Sequence, residues 1–179
     1  MTLRHALAIA ALSAMTLSCA GSPRATAPAS SAASSGEPPG LPPAPAGGFD
    51  PVVAVAFDGA PPLHAEVARR PDQRARGLMQ RRALAPDAGM LFVFPGRVTV
   101  GFYMFGTLIP LSIAYVDGDA VVSTAEMVPC RAGDGADCTV YEATGPYDRA
   151  VEAPAGFFPE HGVRAGTRMH VTGAVAPAT

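Results

Sequence analysis

The chain has 179 residues, with 13 arginines, no lysine and 15 acidic residues, for a net charge of −2. Apolar residues make up 49% and charged residues 16%, which excludes disorder of the whole chain and leaves enough apolar surface for a packed core. The balanced charge lacks the strong basic excess that nucleic-acid binding requires, so no nucleic acid is expected as a partner.

The N-terminus reads as an export signal. Arg4 and His5 precede an apolar run from Ala6 to Leu17. That run falls short of the roughly 20 residues a membrane-spanning helix needs, and it fits the short apolar region of a secretory signal peptide. Cys19 stands where a bacterial lipoprotein is cut and acylated, although Leu17 sits one place closer to it than usual. Residues 1–19 are therefore expected to be a signal peptide with a lipid-bearing Cys19. The protein is expected to be an exported, periplasmic or cell-envelope lipoprotein, attached to a membrane through that anchor. Cleavage by ordinary signal peptidase is the alternative.

From Ala20 to Gly48, 25 of 29 residues are Ala, Gly, Pro or Ser, too few apolar groups to offset the entropy of ordering. Residues 20–48 are expected to be a disordered linker, residues 49–173 a single β-rich domain, and residues 174–179 a tail.

Inside the domain, Val52–Phe57 is a short apolar run and Leu63–Ala68 alternates, so both predict strands separated by the Asp58–Pro62 turn. Pro71 opens a predicted helix through Arg82, with Asp72 near its positive end and Gly77 in its middle. Such a glycine costs about 1 kcal/mol against alanine, which points to close packing on a sheet. Pro86–Gly89 predicts a turn. Met90–Phe94, Val98–Met104, Leu111–Asp117 and Ala120–Val128 follow as strands, with Gly118 and Asp119 turning the last two into a hairpin. In Leu111–Val116 both alternating sets are apolar, so that strand is expected to be covered on both faces. Tyr147–Ala153 and Arg168–Thr172 predict further strands, and Pro154–His161 a short helical turn. The fold class expected is mainly β, a compact antiparallel β-sandwich or partly open barrel with one short helix.

The strings Arg74-Ala75-Arg76-Gly77-Leu78-Met79, Gly89-Met90-Leu91-Phe92-Val93-Phe94 and Thr107-Leu108-Ile109-Pro110-Leu111 resemble the family called domain of unknown function 192. Phe102, Met104, the Glu126–Cys130 stretch, Cys138, Tyr141, Val151-Glu152 and Ala155-Gly156 continue the likeness. The resemblance covers roughly Val52 to Val171. It implies a compact β-sandwich, often exported and often lipidated, and it implies no known activity. The central string of that family reads roughly FWMKNTLIPLDI. Here Tyr103, Phe105, Gly106 and Ser112 replace its Trp, Lys, Asn and Asp. A polar site built from that Lys, Asn and Asp would be missing from this chain.

The remaining candidates follow from residue chemistry. Cys130 and Cys138 close a nine-residue loop, CRAGDGADC, which in an oxidising compartment reads as a disulfide. A metal site or a reactive thiol paired with His161 are the rivals. No CxxC or HxxxH spacing occurs, and no metal or cofactor is expected. The methionines at 79, 90, 104 and 127 read as core packing, and His64, His161 and His170 as scattered surface groups. Six arginines crowd residues 69–82, so that residues 69–97 carry +5 while residues 117–160 carry −7. Either this is a solvated helix face, or Arg74 and Arg76 contact an anionic envelope ligand or an envelope protein. Tyr103, Phe105 and Thr107 would then supply an adjacent groove. Glu126 and Glu152 are the remaining candidates: with Arg76 they could act as acid and base of a glycan hydrolase if they meet. The expected function is a non-catalytic, lipid-anchored binding module of the envelope, with that hydrolase as the alternative.

Overall fold

The computed structural model describes residues 48–131 and 135–179. The signal peptide, Cys19, nearly all of the linker and residues 132–134 of the cysteine loop lie outside the described residues.

In chain order the elements are β1 (Asp50–Phe57), β2 (Leu63–Ala68), α1 (Pro71–Arg76), β3 (Ala88–Val98), β4 (Phe102–Tyr103), β5 (Leu111–Asp117), β6 (Ala120–Met127), β7 (Val140–Tyr141), β8 (Tyr147–Pro154), α2 (Phe157–Glu160) and β9 (Met169–Thr172). Seven strands form one sheet in the order β6-β5-β8-β3-β2-β1-β9, and β4 pairs with β7 in a small separate ribbon. The sheet curls until its edges touch. Ala120 at the start of β6 bridges Arg168 just before β9, and the Val121 N–H donates to the Thr167 carbonyl at 2.9 Å. A sheet joined edge to edge leaves less unpaired backbone. The predicted mainly-β, partly open barrel is thus the fold, with two short helices rather than one.

One ladder is not antiparallel. β2 and β3 pair in parallel, with Glu66 beside Met90 and Ala68 beside Phe92. The α1 crossover between them returns the chain to the same end of the sheet, as parallel neighbours require.

Side chains alternate across each strand, so the sheet has two apolar faces. Val55, Phe57, Leu91, Val116 and Val151 lie on one, together with Phe157 and Phe158 of α2. Met90, Phe92, Ile113, Tyr115 and Ala150 lie on the other, packed with Leu78 and Met104. β5 is buried from Leu111 through Val116, as its two-sided apolar pattern predicts. Each large side chain sealed this way contributes about 1.5–3 kcal/mol.

Two sequence expectations need correcting. The predicted helix through Arg82 stops at Arg76, because Gly77 leaves the helical conformation with φ of 47° and closes the end by donating its N–H to the Gln73 carbonyl at 2.9 Å. A side chain at Gly77 would sit 3.3 Å from the Phe92 ring, so the close packing holds while the mid-helix position does not. The run Val98–Met104 is not one strand. β3 continues to Val98, and the chain then breaks away to form β4 against β7. Gly101 enables the change: a Cβ there would overlap Val140 and sit 3.2 Å from the Tyr141 carbonyl oxygen. Residues 174–179 run back beside β2, where Thr179 donates its N–H to the Arg69 carbonyl at 3.2 Å and Val175 packs on the core.

Candidate functional site

The second face of the sheet is not completely filled. A cavity of about 220 Å³ lies between the 74–79 segment, Phe92 and Phe94 of β3, and the Val100–Tyr103 stretch with Thr107. The sequence explains the gap. Gly77 turns the chain off α1 above Phe92, and Gly101 carries the opposite wall over to β7. Tyr147 fixes that wall by donating its hydroxyl to the Val100 carbonyl at 2.5 Å, and burial pushes its pKa up to about 12. The Tyr115 hydroxyl donates to the Tyr141 carbonyl at 2.6 Å; burial, then Tyr147, Glu152 and Glu142, raise its pKa as well. Gln80 joins the two walls through its backbone N–H and its Nε2, which donate to the Gly106 carbonyl at 2.9 and 3.0 Å.

Glu152 lines the cavity and, like Thr107, is only 6% exposed. In β8 it stands between Met90 of β3 and Ile113 of β5, in the middle of an apolar sheet face. Burial pushes its carboxyl pKa up to about 8, and Arg81 draws it back only in part. Arg81 is already engaged: its Nη1 and Nη2 donate to the two Glu66 oxygens at 2.6 and 2.8 Å. Burial therefore favours the neutral form of Glu152.

Five of the seven nominated ligand-binding residues line this cavity: Arg74, Arg76, Tyr103, Thr107 and Glu152. Arg74 is half-buried. Its Nη1 donates to the carbonyls of Arg69 and, at 3.1 Å, Val93, and its guanidinium lies 5.3 Å from the Phe94 ring centre. Burial lowers its pKa below the ordinary arginine value, opposed by Asp72. Tyr103 is 46% exposed and Thr107 is buried.

Phe105 and Glu126 fall elsewhere. Phe105 bridges Cys130 and packs beneath Gly135 of the cysteine loop. Glu126 stands opposite Ser112, accepting from its hydroxyl at 2.5 Å and from the Gly156 N–H at 2.9 Å. Ser112 pairs with Ala153, and Ile113 pairs with Glu152, so Glu126 and Glu152 point to opposite faces of the sheet. The paired-carboxylate arrangement that a glycan hydrolase needs is not assembled, and Arg76 shares a cavity with Glu152 but not with Glu126.

The arginine cluster is largely neutralised locally. Arg69 meets Asp50 at 2.5 Å, Arg70 meets Asp72 at 3.3 Å, and Arg81 meets Glu66. The acids responsible come from β1, α1 and β2 rather than from the acidic 117–160 stretch. The expected disulfide is present between Cys130 and Cys138, with Cα atoms 5.6 Å apart. Among the described residues, no three His, Cys, Asp or Glu are placed to hold a metal ion. His161 and His170 are satisfied by the Phe157 carbonyl at 2.8 Å and by Asp58 at 3.0 Å. The sequence does not single out the aromatic walls Phe92 and Phe94, because both sit in an ordinary strand pattern. Nor does it single out Leu78 and Met79, hidden inside the predicted helix.

Two solved structures share this architecture. One is a Sinorhizobium meliloti protein described as a candidate transcription regulator, 28% identical, with a TM-score of 0.61 over 69% of this chain and 95% of that one. The other is a Novosphingobium aromaticivorans protein of unknown function, 30% identical, with a TM-score of 0.58 over 68% of this chain and 84% of that one. No curated protein matches the chain. The sequence pattern of DUF192, an uncharacterised ancient family, matches residues 53–171, two-thirds of the chain. The protein belongs to the DUF192 family.

Proposed function

We propose that this is a non-catalytic binding module of the cell envelope, lipid-anchored through Cys19, whose cavity between α1 and β4 takes a small ligand with an apolar body and an anionic group. The observation that carries the reading is the convergence of Arg74, Arg76, Tyr103, Thr107 and Glu152, nominated on separate chemical grounds, on one aromatic-walled cavity. Concave apolar sites with a few converging polar groups are where ligands bind. The aromatic and aliphatic walls would cover the ligand body, and the guanidinium groups would meet its anion. Among the described residues no helix is long and apolar enough to cross a membrane.

The test is titration of the full chain with 4-methylpentanoate, a small branched carboxylate, followed by NMR at pH 7. Binding is expected to shift the signals of Leu78, Phe92, Tyr103 and Thr107. Arg76→Ala should weaken it about tenfold or more, the worth of one charge-assisted hydrogen bond. Unchanged affinity in the variant would remove Arg76 from the site.

A further inference from the structure

The cavity holds one acid, Glu152, although its other charged lining residues are arginines. Glu152 is 6% exposed and makes no hydrogen bond through its carboxyl group to any described residue. Among the described residues, no wholly sealed side-chain nitrogen or oxygen lacks a hydrogen-bond partner. The Glu152 oxygens are therefore not wholly sealed, and their opening is the cavity that the residue lines.

An acid buried on an apolar face without a cation is costly, and a cation brought by a ligand relieves that cost. Phe92, Phe94, Phe102 and Tyr103 surround the space with aromatic rings, whose faces attract a positive group and cover an apolar one. Arg74 and Arg76 supply the opposite charge, in the fork geometry that suits a carboxylate. The space is small, about 220 Å³.

On the reading that this cavity is a ligand site, we propose that its ligand is a zwitterion: a small amino acid whose carboxylate meets Arg76 and Arg74 and whose protonated amine meets Glu152. The other charged and titratable groups around Glu152 are Arg81 with Glu66 on the β2 side, Tyr103 on β4, Tyr115 on β5 and Tyr147 at the head of β8. Arg81 is held by Glu66 and the hydroxyls of Tyr115 and Tyr147 by carbonyls, so none of these three supplies the missing cation. At neutral pH the Glu152 carboxyl carries a proton. Pairing with an incoming ammonium ionises it, and that proton passes to the buffer while the amine keeps its own.

The test uses the full chain and three probes of one shape: leucine, 4-methylpentanoate (leucine without the amine) and 3-methylbutylamine (leucine without the carboxylate). Calorimetric titration at pH 7 in two buffers of different ionisation enthalpy reads both affinity and protons released. Leucine is expected to bind at least tenfold more tightly than either fragment and to release about one proton. Glu152→Gln should abolish the release and weaken leucine at least tenfold, a larger loss than it causes for 4-methylpentanoate. The ranking of the three probes on the native chain is itself decisive if the variant does not fold. Equal affinities for leucine and 4-methylpentanoate would overturn the zwitterion and leave the cavity a site for simple anions. Failure of all three probes to bind would overturn both readings.

Discussion

Arg81 grips both oxygens of Glu66, at 2.6 and 2.8 Å, while Glu152, two strands away on the same sheet face, has no such partner among the described residues. One acid is paired with an arginine; the other is buried, and burial favours its protonated form. The difference makes the fold sensitive to pH. The folded-state pKa of Glu152 is raised from 4.5 to about 8, so the native chain holds one more proton than the unfolded chain between those values. Its contribution to stability is complete below the lower value and is lost as pH rises through the upper one, by about 1.4 kcal/mol per unit. Thermal unfolding should show stability falling between pH 5 and 8. The difference from Glu152→Gln isolates this residue from the rest of the chain, and that variant should be the more stable of the two at pH 8. A pH-independent difference would refute the assignment.

Gly89 marks a close approach of β3 to β8 that the sequence does not advertise. A side chain there would lie 2.6 Å from the Glu152 carbonyl oxygen, a backbone atom that cannot move alone. Gly89→Ala should cost about 1–3 kcal/mol or more, as overpacking does. Gly96→Ala, which meets nothing within 4 Å on the same strand, should change stability by less than about 0.5 kcal/mol. Urea denaturation of the two variants checks the contrast; equal costs would contradict it.

The legibility of this fold in its sequence follows from where single-chain patterns carry information. β2 and β5 are predicted within a residue, because alternation in one and two-sided apolarity in the other are local signals. The helix end at Gly77 is not, because whether a glycine interrupts or ends a helix depends on Phe92 lying beneath it. The parallel β2–β3 ladder and the detached β4–β7 ribbon are likewise set by pairing, which a linear pattern does not record. Arg76, Tyr103, Thr107 and Glu152 were individually recognisable as unusual side chains. That Glu152 joins them while Glu126 does not depends on the register of β5 against β6 and β8.

The Cys130–Cys138 bridge ties the loop that packs on Phe105. Chain entropy gives a closed loop of nine residues about 2.6 kcal/mol of stabilisation. Reduction, or Cys130→Ser with Cys138→Ser, should lower stability by roughly that amount in a denaturant titration. Thiol counting on the folded Cys19→Ser chain should find none until a reductant is added; two free thiols would contradict the bridge.

Attachment through Cys19 is tested in cells of the natural host or a bacterial relative. Cys19→Ser should move the protein from the membrane fraction to the soluble envelope fraction, with the domain unchanged in melting temperature. Unaltered fractionation would exclude a lipid at Cys19.

The most direct test of the account is the NMR titration of the full chain with leucine at pH 7. Shifts gathered at Leu78, Phe92, Tyr103, Thr107 and Glu152, with the Glu152 carboxyl moving to its ionised position, are the predicted result. Saturable shifts at the β1–β9 edge instead, or none at millimolar ligand, would contradict a ligand site between α1 and β4.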